Sequence, residues 1–404
     1  MRGEPLMPCS PRKARILLKE NKAKVVKREP FTIQLKYATG EVKQDINLGI
    51  DAGSKQIGVS ATTEKEVLFE AEVELRNDIV ELLATRRQYR RSRRNRKTRY
   101  RQARFNNRKK PKSWLAPSIQ HKIEAHIKTV AMVHKILPIT QTIIEVAQFD
   151  IQKIKNPNIE GKEYQEGAQL GFWNVREYVL WRDNHQCKGK TNCKNKILSV
   201  HHIESRKTGG NAPNNLITLC EKCHTDIHAG KLKLNLKRGI SYRDATFMGI
   251  MRWAVYNKLK ELYPNISLTY GYITKNTRIK NNLEKSHIID ARCISKNPLA
   301  TAQETYYYFK HVRSQNRQLH KANPKKGVRK ANKAPRYVFG FQLFDKVLYQ
   351  GQECFIFGRR SSGYFDLRML GGTKIHASAS YKKLKLLEKA STVLIERRYA
   401  TSSP

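Results

Sequence analysis

Three acids in this 404-residue chain stand where an acid is costly to keep: Asp51 ends the apolar run "LGID", Glu145 ends "TIIE", and Asp290 lies in "HIIDA". A carboxylate at the edge of an apolar element needs a cation to satisfy it. Three of them on elements that pack together could hold a pair of hard divalent ions, and two such ions can activate water and stabilise the leaving oxygen of a phosphodiester. His287 precedes Asp290 by three residues, so on a helix both point to one side. A second group lies between Cys187 and His228. Cys187 and Cys193 ("CKGKTNC") and Cys220 and Cys223 ("CEKC") form two knuckles whose thiolates could bind Zn2+ tetrahedrally. Between them stands the pair His201–His202, and His224 and His228 follow at the i, i+4 spacing of metal ligands on a helix. Taken singly, Asp51 could be a turn former, Glu145 half of a salt bridge, Asp290 a helix-surface acid, and the Cys/His region a structural zinc module.

These residues need scaffolds. Ile46–Leu75 reads as three strands broken at "AGSKQ" and "TTEKE". Apolar residues recur at helical spacing from Ile119 to Leu137, Pro138 ends that helix, and 141–149 is a buried strand. A polar linker follows, then the compact Cys/His unit at about 170–230. The pattern next predicts a helix over 243–263, a strand over 265–272, a helix over 283–295 and a basic loop over 310–336. Short glycine-punctuated strands over 337–386 suit a small β-barrel. At the N-terminus an amphipathic helix precedes strand-like "PFTIQLKYA". The fold class expected is α/β and multidomain.

Charge narrows the function. The chain has 79 Lys and Arg against 34 Asp and Glu, a formal net charge of +45. That excess fits nucleic acid, because phosphates release counterions to Lys and Arg; an acidic protein or a membrane surface fits less well. The densest stretch, Thr85–Lys110, holds Arg86, Arg87, Arg90, Arg91, Arg93, Arg94, Arg96, Arg99, Arg101, Arg104 and Arg108, three lysines and no acid. Such a segment repels itself unless a polyanion neutralises it. No run approaches the ~20 apolar residues of a membrane span. The N-terminus lacks the apolar core of a secretion signal, and the cysteines suit a reducing compartment. A cytoplasmic protein is expected, at the nucleoid when on DNA.

In order, strand-Asp, hairpin strands, strand-Glu and helical H-x-x-D resemble an RNase H-like core of the RuvC kind. "VHHIESRKTGGNAPNNLITLCEKCHTDIH" resembles an HNH (ββα-metal) nuclease motif. That resemblance implies His202 as general base, with Asn215 orienting it more plausibly than Asn214 or Asn211, and His201, His224 and His228 as metal ligands. Together with "PLMP" at Pro5–Pro8, the whole is similar to the IscB family of transposon-encoded, RNA-guided nucleases related to type II CRISPR effectors. The likeness implies a PLMP domain (1–45), RuvC-I (46–75), an arginine-rich bridge helix (76–112), RuvC-II (113–155), an HNH domain (156–235), RuvC-III (236–308) and a C-terminal domain (309–404) touching the target-adjacent motif and RNA. It further implies catalytic Asp51, Glu145, His287 and Asp290 at the RuvC-like site, and Mg2+ or Mn2+ at both nuclease sites. A structural Zn2+, a guide (omega) RNA and double-stranded target DNA complete a monomeric ribonucleoprotein. The HNH site would cut the guide-paired strand and the RuvC-like site the displaced one. An RNA-independent homing-type or junction-resolving endonuclease, or a binding module with inactive sites, are the rival readings.

Overall fold

A computed structural model describes residues 3–40, 42–94, 114–146, 172, 174–190, 193–204, 211–232, 239, 243–313 and 335–400. The chain is mixed α/β and divides into two compact units, one built from residues 1–147 with 250–404, the other from 148–249. No described helix is long and apolar enough to cross a membrane.

The first unit is organised by a seven-stranded sheet. Three strands, β3 (Asn47–Ala52), β4 (Gln56–Thr62) and β5 (Val67–Glu74), run antiparallel. Two further strands, β6 (Gln141–Val146) and β9 (Ile266–Tyr270), continue parallel from β3. On the other side β10 (Thr305–His311) lies parallel to β5, and β16 (Val393–Tyr399) closes that edge antiparallel to β10. The order is β16-β10-β5-β4-β3-β6-β9. Ile46, Leu48, Ile50, Ile57, Val59, Ile143 and Ile144 are fully buried, as β-branched and long aliphatic runs covered on both faces should be.

Helices complete the layers. α3 (Pro117–His134) begins with Pro at its first turn and buries Ile123, Val130 and Val133. α6 (Arg243–Leu262) buries Met251, Val255 and Leu259. α7 (Gly271–Lys280) leads to α8 (His287–Ile294), which Ser286 caps by accepting from the Ile289 amide. Helix α8 lies unusually close to the sheet, and two strand glycines permit it. A Cβ at Gly49 would fall 2.0 Å from the Ala291 carbonyl oxygen, and one at Gly58 would fall 1.8 Å from that of His287. Glycine inside a strand commonly marks such backbone approach.

Before the sheet come α1 (Pro11–Lys19) and the hairpin of β1 (Ala23–Lys27) and β2 (Thr32–Leu35). The arginine segment opens as α2 (Ile79–Arg94). C-terminally, five strands, β11 (Lys346–Tyr349), β12 (Gln352–Arg359), β13 (Tyr364–Arg368), β14 (Lys374–Ser380) and β15 (Lys385–Glu388), form a second sheet in the order β14-β13-β12-β11-β15. Its opposite edges, β14 and β15, are joined by a single turn at Tyr381–Lys383, so the sheet must roll. Phe365, Leu367, Val347 and Ile356 fill its inside. The segment after it leaves this module and returns to the main sheet as β16.

The second unit is smaller: α4 (Val175–Arg182), an antiparallel hairpin of β7 (Leu198–His202) and β8 (Leu216–Cys220), and α5 (Glu221–His228). Its buried apolar cluster consists of Leu219 with Cys187, Cys220 and Cys223.

Candidate metal centres

In the sheet unit, register brings the acids together. Ile50 of β3 pairs with Ile144 of β6 in parallel, so the next residues, Asp51 and Glu145, leave the same end of neighbouring strands on one face. They are 7% and 8% exposed. Helix α8 supplies the others: His287 Nδ1 lies 2.6 Å from Asp51 Oδ2, and Asp290 sits in the first turn, where a helix favours an acid.

Two arginines that sequence reasoning missed complete this centre. Arg252 of α6 donates from Nε to the Ala52 carbonyl at 2.8 Å, places Nη1 2.9 Å from Glu145 Oε1, and brings Nη2 within 3.8 Å of Asp51 Oδ1. Arg278 of α7 stands 3.0 Å from Asp290 Oδ1, an ion pair without hydrogen-bond alignment. On a helix pattern an arginine reads as a solvated surface residue; the only local hint was that Arg252 falls between the apolar Met251 and Trp253.

Burial raises the Glu145 carboxyl above its ordinary value; Arg252 opposes that shift and Asp51 adds to it. Asp290 is likewise raised by burial, with the Asp51 charge reinforcing it and Arg278 opposing it. His287 is raised, first by its hydrogen bond to Asp51. Burial and the mutual repulsion of the acids thus make their charged forms costly here even with the two arginines. An all-oxygen donor set in that condition fits a hard divalent ion such as Mg2+ or Mn2+. The three carboxylates do not close on one point: among the described residues, only the four thiols and three of the imidazoles have ligand atoms all within 4.8 Å of one another.

Those two groups belong to the smaller unit. His201 at the end of β7 faces His224 and His228 of α5; ring centroids are 5.1, 5.1 and 4.6 Å apart. Burial and the neighbouring imidazoles hold His201 and His224 below the usual histidine value, which keeps their lone pairs available. His202, next on the strand, points elsewhere. Its Nε2 is 3.0 Å from Asn211 Oδ1. An amide oxygen only accepts, so Nε2 carries the hydrogen and Nδ1 keeps its lone pair.

Asn215 does not take the place expected for it. It is fully buried, and its side chain is engaged with the backbone of Glu204: Oδ1 accepts from the amide at 2.8 Å and Nδ2 donates to the carbonyl at 3.1 Å. It therefore fixes the chain two residues beyond His202, while Asn211 is the side chain that meets the ring. Both asparagines sit at plausible spacing, and nothing local separates the two roles.

Cys187, Cys193, Cys220 and Cys223 converge, with Cys193 and Cys220 sulfurs 3.6 Å apart. Burial and the neighbouring thiols push Cys223 up to about 12, a shift that a bound cation would reverse. Four thiols at this range fit tetrahedral Zn2+, in a unit whose buried apolar residues beyond the cysteines are few: Val179, Leu180, Leu216 and Leu219 among those described.

Of the arginine segment, Arg86, Arg87, Arg90 and Arg91 are exposed on α2, and Arg93 and Arg94 are on its last turn. Arg96, Arg99, Arg101, Arg104 and Arg108 lie outside the described residues.

Residues 1–167 match the family described as RRXRR protein, and residues 186–230 match HNH endonuclease. A 75-residue stretch, 18% of the chain, is 33% identical to Anaredoxin of Nostoc sp. and covers 84% of it, so over that stretch the two share a family. Solved structures of Streptococcus thermophilus Cas9 also align. The one in complex with the GGAA PAM is 15% identical, with TM-score 0.34, covering 52% of this chain and 30% of that one. The one with the AGGA PAM is 16% identical, with TM-score 0.33, covering 51% and 30%. The chain thus matches less than a third of those proteins' length, at scores too low to argue from. Residues 186–230 are an HNH endonuclease domain, the module of a nuclease, a hydrolase acting on DNA. The chain thus carries an RRXRR region followed by an HNH endonuclease region.

Proposed function

We propose that this protein is an RNA-guided DNA endonuclease with two metal-dependent cutting sites. The observation that carries the reading is one of arrangement: a ββα unit rich in histidine, residues 148–249, is inserted in the chain between Glu145 and Asp290, and the sheet with helix α8 joins Asp51, Glu145 and His287 at one end. An antiparallel triplet followed by two parallel strands suits an RNase H-like core of the RuvC kind. The rolled five-stranded sheet suits the expected small barrel contacting the target-adjacent motif and the RNA.

At the HNH site, His202 Nδ1 takes a proton from the attacking water, and Asn211 holds the ring in that tautomer. The metal, when bound by His201, His224 and His228, supplies charge stabilisation at the scissile phosphate and its leaving oxygen. Asn215 keeps the strand end in register for that transfer. At the other site Asp51, Glu145 and Asp290 would hold the divalent ion, with His287 tethered to Asp51. The exposed arginines of α2, within a chain of net charge +45, would lie along the guide RNA. Base pairing then chooses the sequence, and the protein supplies cleavage. The HNH site is assigned the guide-paired strand and the RuvC-like site the displaced strand.

Purified protein, with and without RNase treatment and with a guide matched to a plasmid, tests this directly. Cutting that requires the RNA and follows its sequence is expected. Undiminished cutting by RNA-free protein at a fixed site would favour the homing-type or junction-resolving alternative. His202→Ala should leave only the displaced strand cut, and Asp51→Ala only the paired strand.

A further inference from the structure

The two centres differ in the chemistry of their donors. In the sheet unit the candidate ligands are carboxylates. In the ββα unit they are the imidazoles of His201, His224 and His228, whose nitrogens lie within 4.8 Å of one another, and among the described residues no carboxylate belongs to that group. Magnesium takes hard oxygen donors, keeps several waters, and is held through carboxylates and phosphates. Three neutral nitrogens offer it neither charge nor oxygen. Imidazole suits zinc, copper, iron and nickel, and affinity for such sites rises along the first-row series. Three histidines with a remaining open position are also the donor set of a catalytic zinc site.

The geometry points to a division of metals within one chain: the three-histidine centre takes a first-row transition ion and not Mg2+, while the carboxylate centre takes Mg2+ or Mn2+. Expecting one hard ion at both sites does not fit the residues present at the first. A functional consequence follows, resting on the nuclease reading above. Supplied with Mg2+ alone, the protein cuts one strand and becomes a nickase; a transition ion restores the second cut. Availability of that ion therefore sets whether the product is a nick or a double-strand break.

The test reads binding and cutting separately. Full-length, tag-free protein stripped of metal is titrated with Co2+. Ligand-field absorption without thiolate charge transfer reports the histidine site, and the charge-transfer bands report the four cysteines. Wild type should hold Co2+ at the histidine site against an about thousandfold excess of Mg2+. His201→Ala and His224→Ala should each weaken it by at least about tenfold. Retention of the thiolate signal shows that the unit is still folded in each variant. Displacement by Mg2+, or unchanged binding in both variants with the thiolate signal intact, overturns the proposal. If both variants lose the thiolate signal, Mg2+ competition on the wild type alone decides the matter. In the cutting arm, strand-labelled target with guide RNA is given Mg2+ alone and then Mg2+ plus Mn2+ or Co2+. One cut followed by two supports the assignment, and two cuts in rigorously chelated Mg2+ alone oppose it. Failure to cut in any metal, with Co2+ still bound, sinks the nuclease reading and leaves the metal assignment standing.

Discussion

Replacing Arg252 by methionine should be among the most costly single changes in the sheet unit, and the cost should depend on pH and metal. The guanidinium is 10% exposed and bridges Glu145, Asp51 and the Ala52 carbonyl. Removing one partner of a buried ion pair costs about 3–5 kcal/mol, because the other charge is left uncompensated. Asp51 retains His287, so the deficit falls mainly on Glu145, and about 3 kcal/mol is expected. Glu145 already has a raised folded pKa; without Arg252 it rises further. A carboxyl raised above its unfolded value contributes stability below that value and loses it as pH climbs through the folded one. The deficit should accordingly be full above the folded value and shrink as pH falls through it. Added Mg2+ should rescue the variant more than it stabilises wild type, since a cation takes over the lost charge. Because the chain has two compact units, whole-chain melting is not two-state. Amide exchange in β3 and β6 reads the relevant opening free energy. A variant within about 0.5 kcal/mol of wild type at pH 8, or one whose deficit ignores both acid and Mg2+, would refute the electrostatic account.

Other expectations concern packing, zinc and acid. Gly58→Ala places a methyl 1.8 Å from the His287 carbonyl oxygen; α8 must retreat at about 1–3 kcal/mol, and the His287 titration, raised by Asp51, should fall toward the ordinary value by NMR. Cys220→Ser, or prolonged chelation, should erase exchange protection across 186–230 while the seven-stranded sheet keeps its own, because the small unit has little other core. His126 is buried, with Nδ1 2.7 Å from the Lys122 carbonyl and Nε2 unpartnered, and burial lowers it to about 4. The unfolded chain then binds the extra proton between pH 6.5 and 4, so stability present above pH 6.5 is lost on acidification. His126→Gln should flatten that loss, on the order of 3 kcal/mol, in denaturation followed from pH 7 to 4.

Much of the local architecture was legible because it is periodic. Alternation and turns gave β3, β4 and β5; the apolar spacing from Ile119 and the stop at Pro138 marked α3; the strand over 141–149 appears as β6. Features depending on distant partners were not legible. β10 was not assigned from the sequence, and its last residues fell in the basic loop expected from 310, since its mate β16 lies some ninety residues further on. The same return of β16 places the chain's last strand in the main sheet, whereas the sequence suggested a C-terminal domain from residue 309 onward. Helix α7 was missed because "GYITKNTRIK" is too polar to show a face. In the sites, residue type was the guide: the acids, imidazoles and thiols were recognisable, but their counter-ions and hydrogen-bond partners were not. Arg252, Arg278 and Asn211 acquire meaning only once α6, α7 and the hairpin are in place.

The two centres also solve different electrostatic problems, with consequences for assembly. Asp51, Glu145 and Asp290 have their own protein cations, His287, Arg252 and Arg278. Their scaffold is a sheet whose fully buried aliphatics need no ion to pack. Metal there can come and go as a reactant does, leaving the fold intact. The four thiols instead lie together in the core of their unit. Ionising them without metal piles negative charge into a small apolar space; protonating them leaves a core of loosely packed sulfur. Removal of metal should therefore only silence the carboxylate centre but dismantle the scaffold that aligns His201, His202 and His224. Loss of HNH cleavage on chelation would then be slow to reverse, governed by refolding, whereas the carboxylate centre would recover as fast as Mg2+ binds.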